Sequence, residues 1–500
     1  MASWGAACAR REKAVSDEVE LKFDVDPACA ERLRAAPALA AAEPRVEQSE
    51  SIYFDTPDQA LRRAGVSLRV RRSGGRIVQT VKRKKGDAAG LFVREEWEAE
   101  LKRFGLDPGA FADPEARRLL ARFDRAALAP VIRTSFTRTA WQVAHDGSRI
   151  EVVLDEGAVK AGRRSTPLSE IELELIDGKR GALFALASEI GVAAPLFLGT
   201  MSKSERGYAL LEQSLGRPAK AEPVVLGGGD SAADAFRKTA LACLRHYRLN
   251  EMALLARRDP DALHQARVAL RRLRSALTLF RPAAKGAGYE RIRAELRWYA
   301  SQFGDARNLD VLLAGALLPN DAALRGSVKA ERERAYDEVL ATLRSERARA
   351  LMLDIALWIE LGGWARRRRA LGKVRDLAAQ RLDRQWRKVC RRGPELSSLD
   401  PDASHLLRID VKKLRYAAEF LASLYAEKAL AGRSRRFVGA LRELQERLGA
   451  ANDAHVARAL LARLAPGREA EIVIPDVARG PAEAAFGKAA ASAGYWLPEG

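Results

Sequence analysis

Glu18-Val-Glu-Leu-Lys22 sets two carboxylates and an ammonium at alternate positions of a five-residue stretch. Successive side chains of a strand point to opposite faces, so these three charges share one face. The pattern returns through the first half of the chain. Arg69 and Arg71 alternate with Leu68 and Val70, and Lys82 and Lys84 follow Thr80 at the same parity. Arg94, Glu96, Glu98 and Glu100 form a row, as do Glu151, Val153 and Asp155, and as do Glu170, Glu172 and Glu174 around Ile171, Leu173 and Leu175. One such strand is accounted for by an antiparallel sheet with a wet outer face. Wet faces mix Thr, Ser, Gln and Lys, however, whereas these rows segregate into acidic and basic strands. If the sheet closes on itself, the rows line its interior, where charges are costly unless they pair or hold ions. Carboxylates take Mg2+ or Mn2+, and Arg and Lys take phosphate oxygens. A lumen with both suits a metal–polyphosphate substrate, whose phosphoryl transfer needs neutralised oxygens and an in-line water but no covalent nucleophile. His145, beside the turn Asp146-Gly147, reads as a surface histidine rather than a general base.

The second half carries a different pattern, and carries it twice. His264-Gln-Ala-Arg-Val-Ala-Leu-Arg-Arg-Leu-Arg274 matches His405-Leu-Leu-Arg-Ile-Asp-Val-Lys-Lys-Leu-Arg415 at an offset of 141 residues. Leu296, Gly304 and Asp310 are answered by Leu441, Gly449 and His455 at an offset of 145. Two motifs repeating in order indicate an internal duplication of a helical unit. On a helix, His264, Arg267, Arg271 and Arg274 fall on one face, as do His405, Arg408, Lys412 and Arg415. Leu263, Ala266, Leu270, Leu273 and Leu277 form the apolar face beside the first stripe. Like charges at these spacings oppose the helix by a few tenths of a kcal/mol, on the order of 0.2–0.5 per pair. Neither stripe holds an acid (Asp410 lies off it), so a bound anion is the economical explanation. The histidines lack a second His or Cys at ligand spacing, which leaves phosphate-facing or capping roles. The run Arg366–Arg369 and the cluster Arg384, Arg387, Lys388, Arg391, Arg392 read equally well as plain solvated surface.

The elements that must position these residues divide near residue 220. Short alternating segments precede a stretch with two prolines and Gly227–Gly229, and long Ala/Leu/Arg segments of helical period follow it. Strands first and helices second predict two domains of different class: an α+β chain with an antiparallel β-barrel, then an all-α duplicated bundle. The expected boundaries are a disordered 1–14, a barrel domain at 15–213, a linker at 214–230, a helical domain at 231–465 and a weakly ordered tail at 466–500. The 500 residues are 47% hydrophobic and 30% charged, which suits a soluble globular chain of two to four domains. Charge is uneven: residues 1–230 carry 36 Lys+Arg and 34 Asp+Glu, and the remaining 50 Lys+Arg and 32 Asp+Glu follow. That asymmetry predicts a polyanion partner for the second half. Cys8, Cys29, Cys243 and Cys390 form no CxxC pair, against structural zinc and against a disulfide framework. No apolar run is long enough for a membrane span and no signal peptide is visible, so the expected place is the cytoplasm.

As an ordered set, the first-half motifs resemble the CYTH domain, the triphosphate tunnel metalloenzymes, over about 18–213. They are Glu18-x-Glu-x-Lys22, Tyr53-Phe-Asp-Thr56 with Leu61 to Arg72, Gln79-Thr-Val-Lys82, Arg94-Glu-Glu-Trp-Glu98, a turn Leu154-Asp-Glu-Gly157, Glu170-Ile-Glu-Leu-Glu174 and Ser202-Lys-Ser-Glu-Arg-Gly-Tyr208. The resemblance implies an eight-stranded antiparallel tunnel and metal-dependent hydrolysis of a triphosphate, inorganic triphosphate foremost. By position it implies Glu18, Glu20, Glu172 and Glu174 as metal or water-positioning carboxylates. Lys22, Arg69, Arg71, Lys82, Arg94, Lys203 and Arg206 become phosphate ligands, with Glu18, Glu20, Lys22 and Arg94 as the catalytic set. Arg138 is taken as a substrate ligand, though Arg133 lies in the same strand at opposite parity and only one can face the lumen. Glu96, Glu98 and Asp155 are open to a metal or a structural role. The second half resembles the CHAD domain over about 230–465, on the two stripes, Ala306-Arg-Asn-Leu-Asp310, Lys412-Lys-Leu-Arg-Tyr416 and Leu448-Gly-x-x-Asn-Asp453. That implies binding of inorganic polyphosphate by His264, Arg267, Arg271, Arg274, His405, Arg408, Lys412 and Arg415. His455 replaces the acid of the first repeat, so the halves need not bind alike. The rivals are a non-catalytic polyphosphate scaffold, a nucleic-acid-binding protein with a degenerate barrel, and an adenylate cyclase on the same tunnel. No aromatics interleave the stripes and no helix-turn-helix or zinc finger is visible, and a cyclase needs a nucleoside pocket that the sequence does not display.

Overall fold

The computed structural model describes residues 16–84, 89–315, 318, 320–393, 396, 399–468, 471 and 479–497; the N-terminal segment 1–14 lies outside them. Two compact units divide the chain, residues 1–217 and 218–500.

The first unit is built on nine strands: β1 Ser16–Val25, β2 Arg45–Asp55, β3 Val66–Ser73, β4 Arg76–Lys84, β5 Leu91–Glu100, β6 Ala129–His145, β7 Ser148–Ala161, β8 Arg164–Asp177 and β9 Leu196–Leu198. Their order is β5-β4-β3-β2-β6-β7-β8-β1, and β1 also pairs with β5, which closes an eight-stranded antiparallel barrel. β9 joins β1 beyond the end of β5, opposite Phe23–Val25. Two hairpins are tight. Gly74 and Gly75 join β3 to β4 with φ of 56° and 78°, and Asp146 and Gly147 join β6 to β7 with 47° and 67°. Positive φ at both central positions matches the twist of the flanking strands.

This barrel carries its core on the outside. Charged rows point inward, and the alternate residues pack apolar layers against the outer wall. Ile52, Leu68, Val70, Val81 and Trp97 meet Phe111, Leu119 and Leu120 of the segment after β5. Elsewhere α1 (Arg180–Ala193) buries Leu183, Phe184 and Leu186. α2 (Lys203–Leu211) begins at a capping box between Ser202 and Glu205. It packs on β6, β7 and β8, where Tyr208 sits among Tyr53, Ile132 and Phe136 and donates to Asp55 at 2.6 Å. Gly207 is required at that crossing, since a Cβ there would lie 2.5 Å from Ile132. The expected turn at Leu154–Gly157 is instead the middle of β7, in unbroken register with β8 from Ile150 to Ala161. The glycine serves a close approach, because a Cβ would stand 2.2 Å from the Ser135 carbonyl.

The second unit is helical: α3 Ala232–Ala256, α4 Pro260–Leu279, α5 Tyr289–Ser301, α6 Gly304–Ala314, α7 Ala322–Arg344, α8 Glu346–Leu361, α9 Val374–Cys390, α10 Pro401–Leu421, α11 Lys428–Arg447, α12 Gly449–Leu464 and α13 Arg479–Ser492. The duplication reaches the caps. Asp259-Pro260 opens α4 and Asp400-Pro401 opens α10, each Asp accepting from a backbone N–H of its first turn. The apolar face of α4 is fully buried, with Leu263, Ala266, Leu270, Leu273 and Leu277 all at 2% exposure or less. Two expectations change here. Residues 218–230 do not hang free as a linker: Val224 and Leu226 are buried, and the Leu226 N–H donates to Ser423 at 2.8 Å. The tail contains α13, whose Ala482, Ala485 and Ala489 are buried together with Tyr495 and Trp496, these two against Phe437. A face of three alanines, with Phe486 beside it stacked on Trp386, gives little hydrophobic periodicity, which hid this helix. No described helix is long and apolar enough to cross a membrane.

Candidate functional site

Strand register brings the charged rows together. Glu20 and Glu151 both stand opposite Glu174, Lys22 stands opposite Glu172, and Lys82 opposite Glu96. They line one cavity of about 310 Å³, with seven carboxylates (Glu18, Glu20, Glu96, Glu98, Glu151, Glu172, Glu174) and seven cations (Lys22, Arg69, Arg71, Lys82, Arg94, Arg138, Lys203). The acids come from β7, β8, β1 and β5, and most of the cations from β6, β3 and β4 across the ring. Arg138, not Arg133, faces the lumen. The Arg133 side chain is 55% exposed outside, 3.8 Å from Glu50.

At one part of this lumen the charges are paired. Lys203 reaches Asp155 at 2.7 Å, Glu170 at 2.5 Å and Glu172 at 3.0 Å. Lys22 reaches Glu170 at 3.2 Å and also pairs with Glu172. Arg138 forks onto Asp155 at 2.8 and 2.7 Å. Burial works against every one of these charges. The carboxylates nonetheless hold Lys22 and Lys203 above the usual lysine range, and the cations hold Glu172 well below the usual carboxylate range. Asp155, Glu170 and Glu172 are close enough to share a metal ion, but two ammoniums and a guanidinium already neutralise them.

Elsewhere the lumen is less settled. Lys82 holds Glu18 at 2.6 Å and Arg94 holds Glu20 at 2.7 Å. Glu174 has no cation within ion-pair distance among the described residues. Burial pushes it up to about 8, aided by Glu18, Glu96 and Glu151, with Lys82 opposing. Arg71 is its opposite number. Arg69 beside it, its own burial and Arg138 push its guanidinium down to about 10. Arg69 touches Glu96 only at 4.0 Å, and its Nε is buried with no partner.

In the helical unit the two stripes converge. Arg408 and Lys412 of α10 both feel Arg271 of α4, and burial with these neighbours pushes Lys412 down to about 8. Burial, Arg307, Arg271 and Arg267 push His264 down to about 4, with Asp261 opposing. Arg267 Nη1, Arg271 Nε and Arg408 Nε are buried without a partner.

Two family models match the chain: CYTH domain over residues 16–208 and CHAD domain over residues 238–462. The chain carries a CYTH domain followed by a CHAD domain. An inorganic triphosphatase from Haemophilus influenzae is 29% identical over 205 residues, 40% of this chain and 56% of that protein, so the match spans little more than half of the relative's length. The CHAD domain from the plant Ricinus communis is 28% identical, with 54% of this chain and 96% of that one covered at a TM-score of 0.48. A Hippeastrum protein reported to reveal a dominant triphosphatase activity is 20% identical, covering 40% of this chain and 97% of that one at a TM-score of 0.28.

Of the residues read from sequence, the CYTH lumen gathers Glu18, Glu20, Lys22, Arg69, Arg71, Lys82, Arg94, Arg138, Glu172, Glu174 and Lys203. Arg206 is not among them. It turns to Asp24 at 2.5 Å, in a partly buried pair. The lumen also exposes Tyr53, named from sequence as a motif residue without a role, and Ser67, which sequence reasoning passed over. Ser67 shares the parity of Arg69 and Arg71, and that signal was available. In the CHAD domain the second stripe does end in an acid: Glu419, four residues beyond Arg415, pairs with it and with Arg272. Arg408 lies 3.8 Å from Asp453 of α12. Arg307, unassigned from sequence, joins the first stripe from α6. His405 is exposed.

Proposed function

We propose that the CYTH domain hydrolyses a triphosphate, inorganic triphosphate foremost, with Mg2+ or Mn2+, and that the CHAD domain holds inorganic polyphosphate along its two stripes. The first half rests on the balance of the lumen. A cavity for a bare polyanion would carry an excess of cations; equal numbers of carboxylates and cations suit a polyanion taken up together with metal ions. The name of the Haemophilus relative supports the same chemistry. The donor set fits a divalent cation best at Glu18 and Glu174, where burial crowds carboxylates that only Lys82 relieves. Glu20 and Glu172 stand next to them but already face Arg94, Lys22 and Lys203. A bound ion would supply neutralised phosphate oxygens and an acidified water.

The chain's own residues do the rest. Arg71, crowded by Arg69 and Arg138, and Arg69, whose Nε has no partner, are ready to grip phosphate oxygens, and Arg forks bind these bidentately. The Lys22–Lys203–Arg138 cluster is locked to Asp155, Glu170 and Glu172, so its cations are held at fixed positions without collapsing onto the substrate. Apolar layers outside the ring keep the strands, and hence these charges, in place. The stripes supply the second half of the reading: their cations are buried with few carboxylates, and a polyanion relieves that.

Phosphate release measured with inorganic triphosphate, thiamine triphosphate, ATP and longer chains, each with Mg2+, with Mn2+ and with chelator, tests the catalytic reading. The expected result is release that needs metal and is fastest from inorganic triphosphate. Folded protein that releases phosphate from none of them would leave a polyphosphate-binding scaffold.

A further inference from the structure

The duplication has a broken symmetry in it. At the offset of 141 residues Arg272 corresponds to Lys413, and Thr278 corresponds to Glu419. Arg272 of α4 is buried and reaches across to Glu419 of α10 at 2.9 Å. The reciprocal pair would be Lys413 of α10 with residue 278 of α4. That residue is a threonine, whose hydroxyl donates to the Arg274 carbonyl of its own helix at 3.0 Å. The carboxylate present in one half is missing in the other.

A cavity of about 180 Å³ stands at that position, lined by Thr278 and Lys413 together with Arg281, Arg381, Arg384 and Lys388. Among the described residues none of these five cations has a carboxylate within ion-pair distance. Asp410, the one acid of the lining, is held by Arg392 at 3.2 Å. Arg381 donates from Nη2 to the Thr278 carbonyl at 2.6 Å, which leaves its Nε buried with no partner. Gln385, also in the lining, has a buried Oε1 with no donor; a half-turn of its amide offers two N–H groups to the same space. Lys413 is one residue on from Lys412 and so about 100° around the helix from the stripe.

We propose that this pocket binds a compact phosphate anion, either free orthophosphate or pyrophosphate or the end group of a longer chain, which takes the place of the missing carboxylate. Five cations around a small enclosure hold a multiply charged anion more tightly than one carboxylate could be held. The cavity has room for a phosphate group or two, and its lining of cations selects for charge.

The test uses the full chain in chelator, where the barrel has no metal to work with. Orthophosphate and pyrophosphate are titrated by calorimetry into wild type, Thr278→Glu and Lys413→Gln, each checked for folding by thermal melting. Thr278→Glu restores the carboxylate of the other half, so it is expected to raise the melting temperature and to weaken anion binding at the pocket at least tenfold. Lys413→Gln is expected to weaken the same binding, and decides alone if Thr278→Glu does not fold. A long polyphosphate chain is titrated into the stripe variant R267A/R271A/K412A/R415A with and without Thr278→Glu. A Thr278-dependent component with the small anions assigns free anion; one seen with the chain alone assigns the end group. Identical titrations of wild type and both pocket variants, with all three probes, would overturn the proposal.

Discussion

The two halves of this molecule bury cations in opposite ways. In the CYTH lumen five of the seven cations meet a carboxylate closely, as Lys82 meets Glu18 and Arg94 meets Glu20. In the CHAD stripes Arg267, Arg271 and Arg408 bury guanidinium nitrogens with no partner, and Lys412 is driven down to about 8. Breaking a buried pair is costly, on the order of 3–5 kcal/mol, so the paired charges of the lumen are held in place, while Glu174, Arg69 and Arg71 are left for a ligand. The stripes store repulsion that a bound anion would relieve. Fixed, balanced charge suits chemistry on a metal-bound substrate; unbalanced charge suits holding a flexible polyanion.

The largest expected effects come from the lumen. Glu174→Gln breaks no ion pair among the described residues, yet should lower triphosphate hydrolysis by about 10²-fold or more if it removes transition-state charge stabilisation. Glu20→Gln should do the same, with a loss of stability besides, because Arg94 would be left facing an amide. Initial rates together with melting curves separate the two. Activity within a few-fold of wild type for Glu174→Gln would place the metal elsewhere.

The stripes should show a smaller, salt-dependent effect. Polyphosphate affinity should fall linearly on a log–log plot against salt, since each neutralised phosphate releases counterions. Replacing Arg267, Arg271, Lys412 and Arg415 with Ala should reduce that slope by up to roughly four contacts' worth. Replacing the exposed run Arg366–Arg369 should change it less. Equal losses from the two quadruple variants would mean that net charge alone matters and would erase the contrast between the halves.

pH sharpens the contrast further. Lys412 has a lowered pKa of about 8, so it loses its charge as pH rises through that value, and polyphosphate affinity should drop between pH 7 and 9. Lys412→Arg should remove the drop. In the lumen the sign is reversed in cause. Glu174, raised to about 8, is protonated at pH 7. The folded state therefore binds more protons than the unfolded one between the usual carboxylate range and pH 8, and stability falls as pH rises through that window. Metal-free Glu174→Gln should accordingly melt higher than wild type at pH 8 and about equally at pH 4. Titration of Mg2+ or Mn2+ at pH 7 in buffers of different ionisation enthalpy should reveal proton release, because a carboxylate ligand must ionise to bind.

Much of this was legible in the sequence, for a definite reason. Strand parity is exact from residue to residue, so the rows of Glu18, Arg69, Lys82 and Glu172 could be assigned to one face, and the ordered motifs then chose a closed tunnel over an open sheet. Helical spacing gave each stripe. What stayed hidden depends on contacts between elements. Arg206 has a motif position but turns to Asp24, and only the packing of α2 decides that. Glu170, with the right parity, serves the Lys22–Lys203 cluster rather than the lumen. Convergence of the two stripes through Arg271, Arg408 and Lys412 follows from the packing of α4 and α10, which spacing along either helix cannot express. The helix at Arg479–Ser492 packs by three alanines and the single Phe486, and is held by Tyr495 and Trp496 beyond its end, so it left little periodic trace.

The most direct test of the division of labour is phosphate release from inorganic triphosphate, measured side by side for wild type, Glu174→Gln and R267A/R271A/K412A/R415A. A lumen that does the chemistry and stripes that only hold polyanion predict near wild-type release from the stripe variant and at least hundredfold lower release from Glu174→Gln, with polyphosphate binding following the opposite order. Hydrolysis lost in the stripe variant and kept in Glu174→Gln would contradict the account.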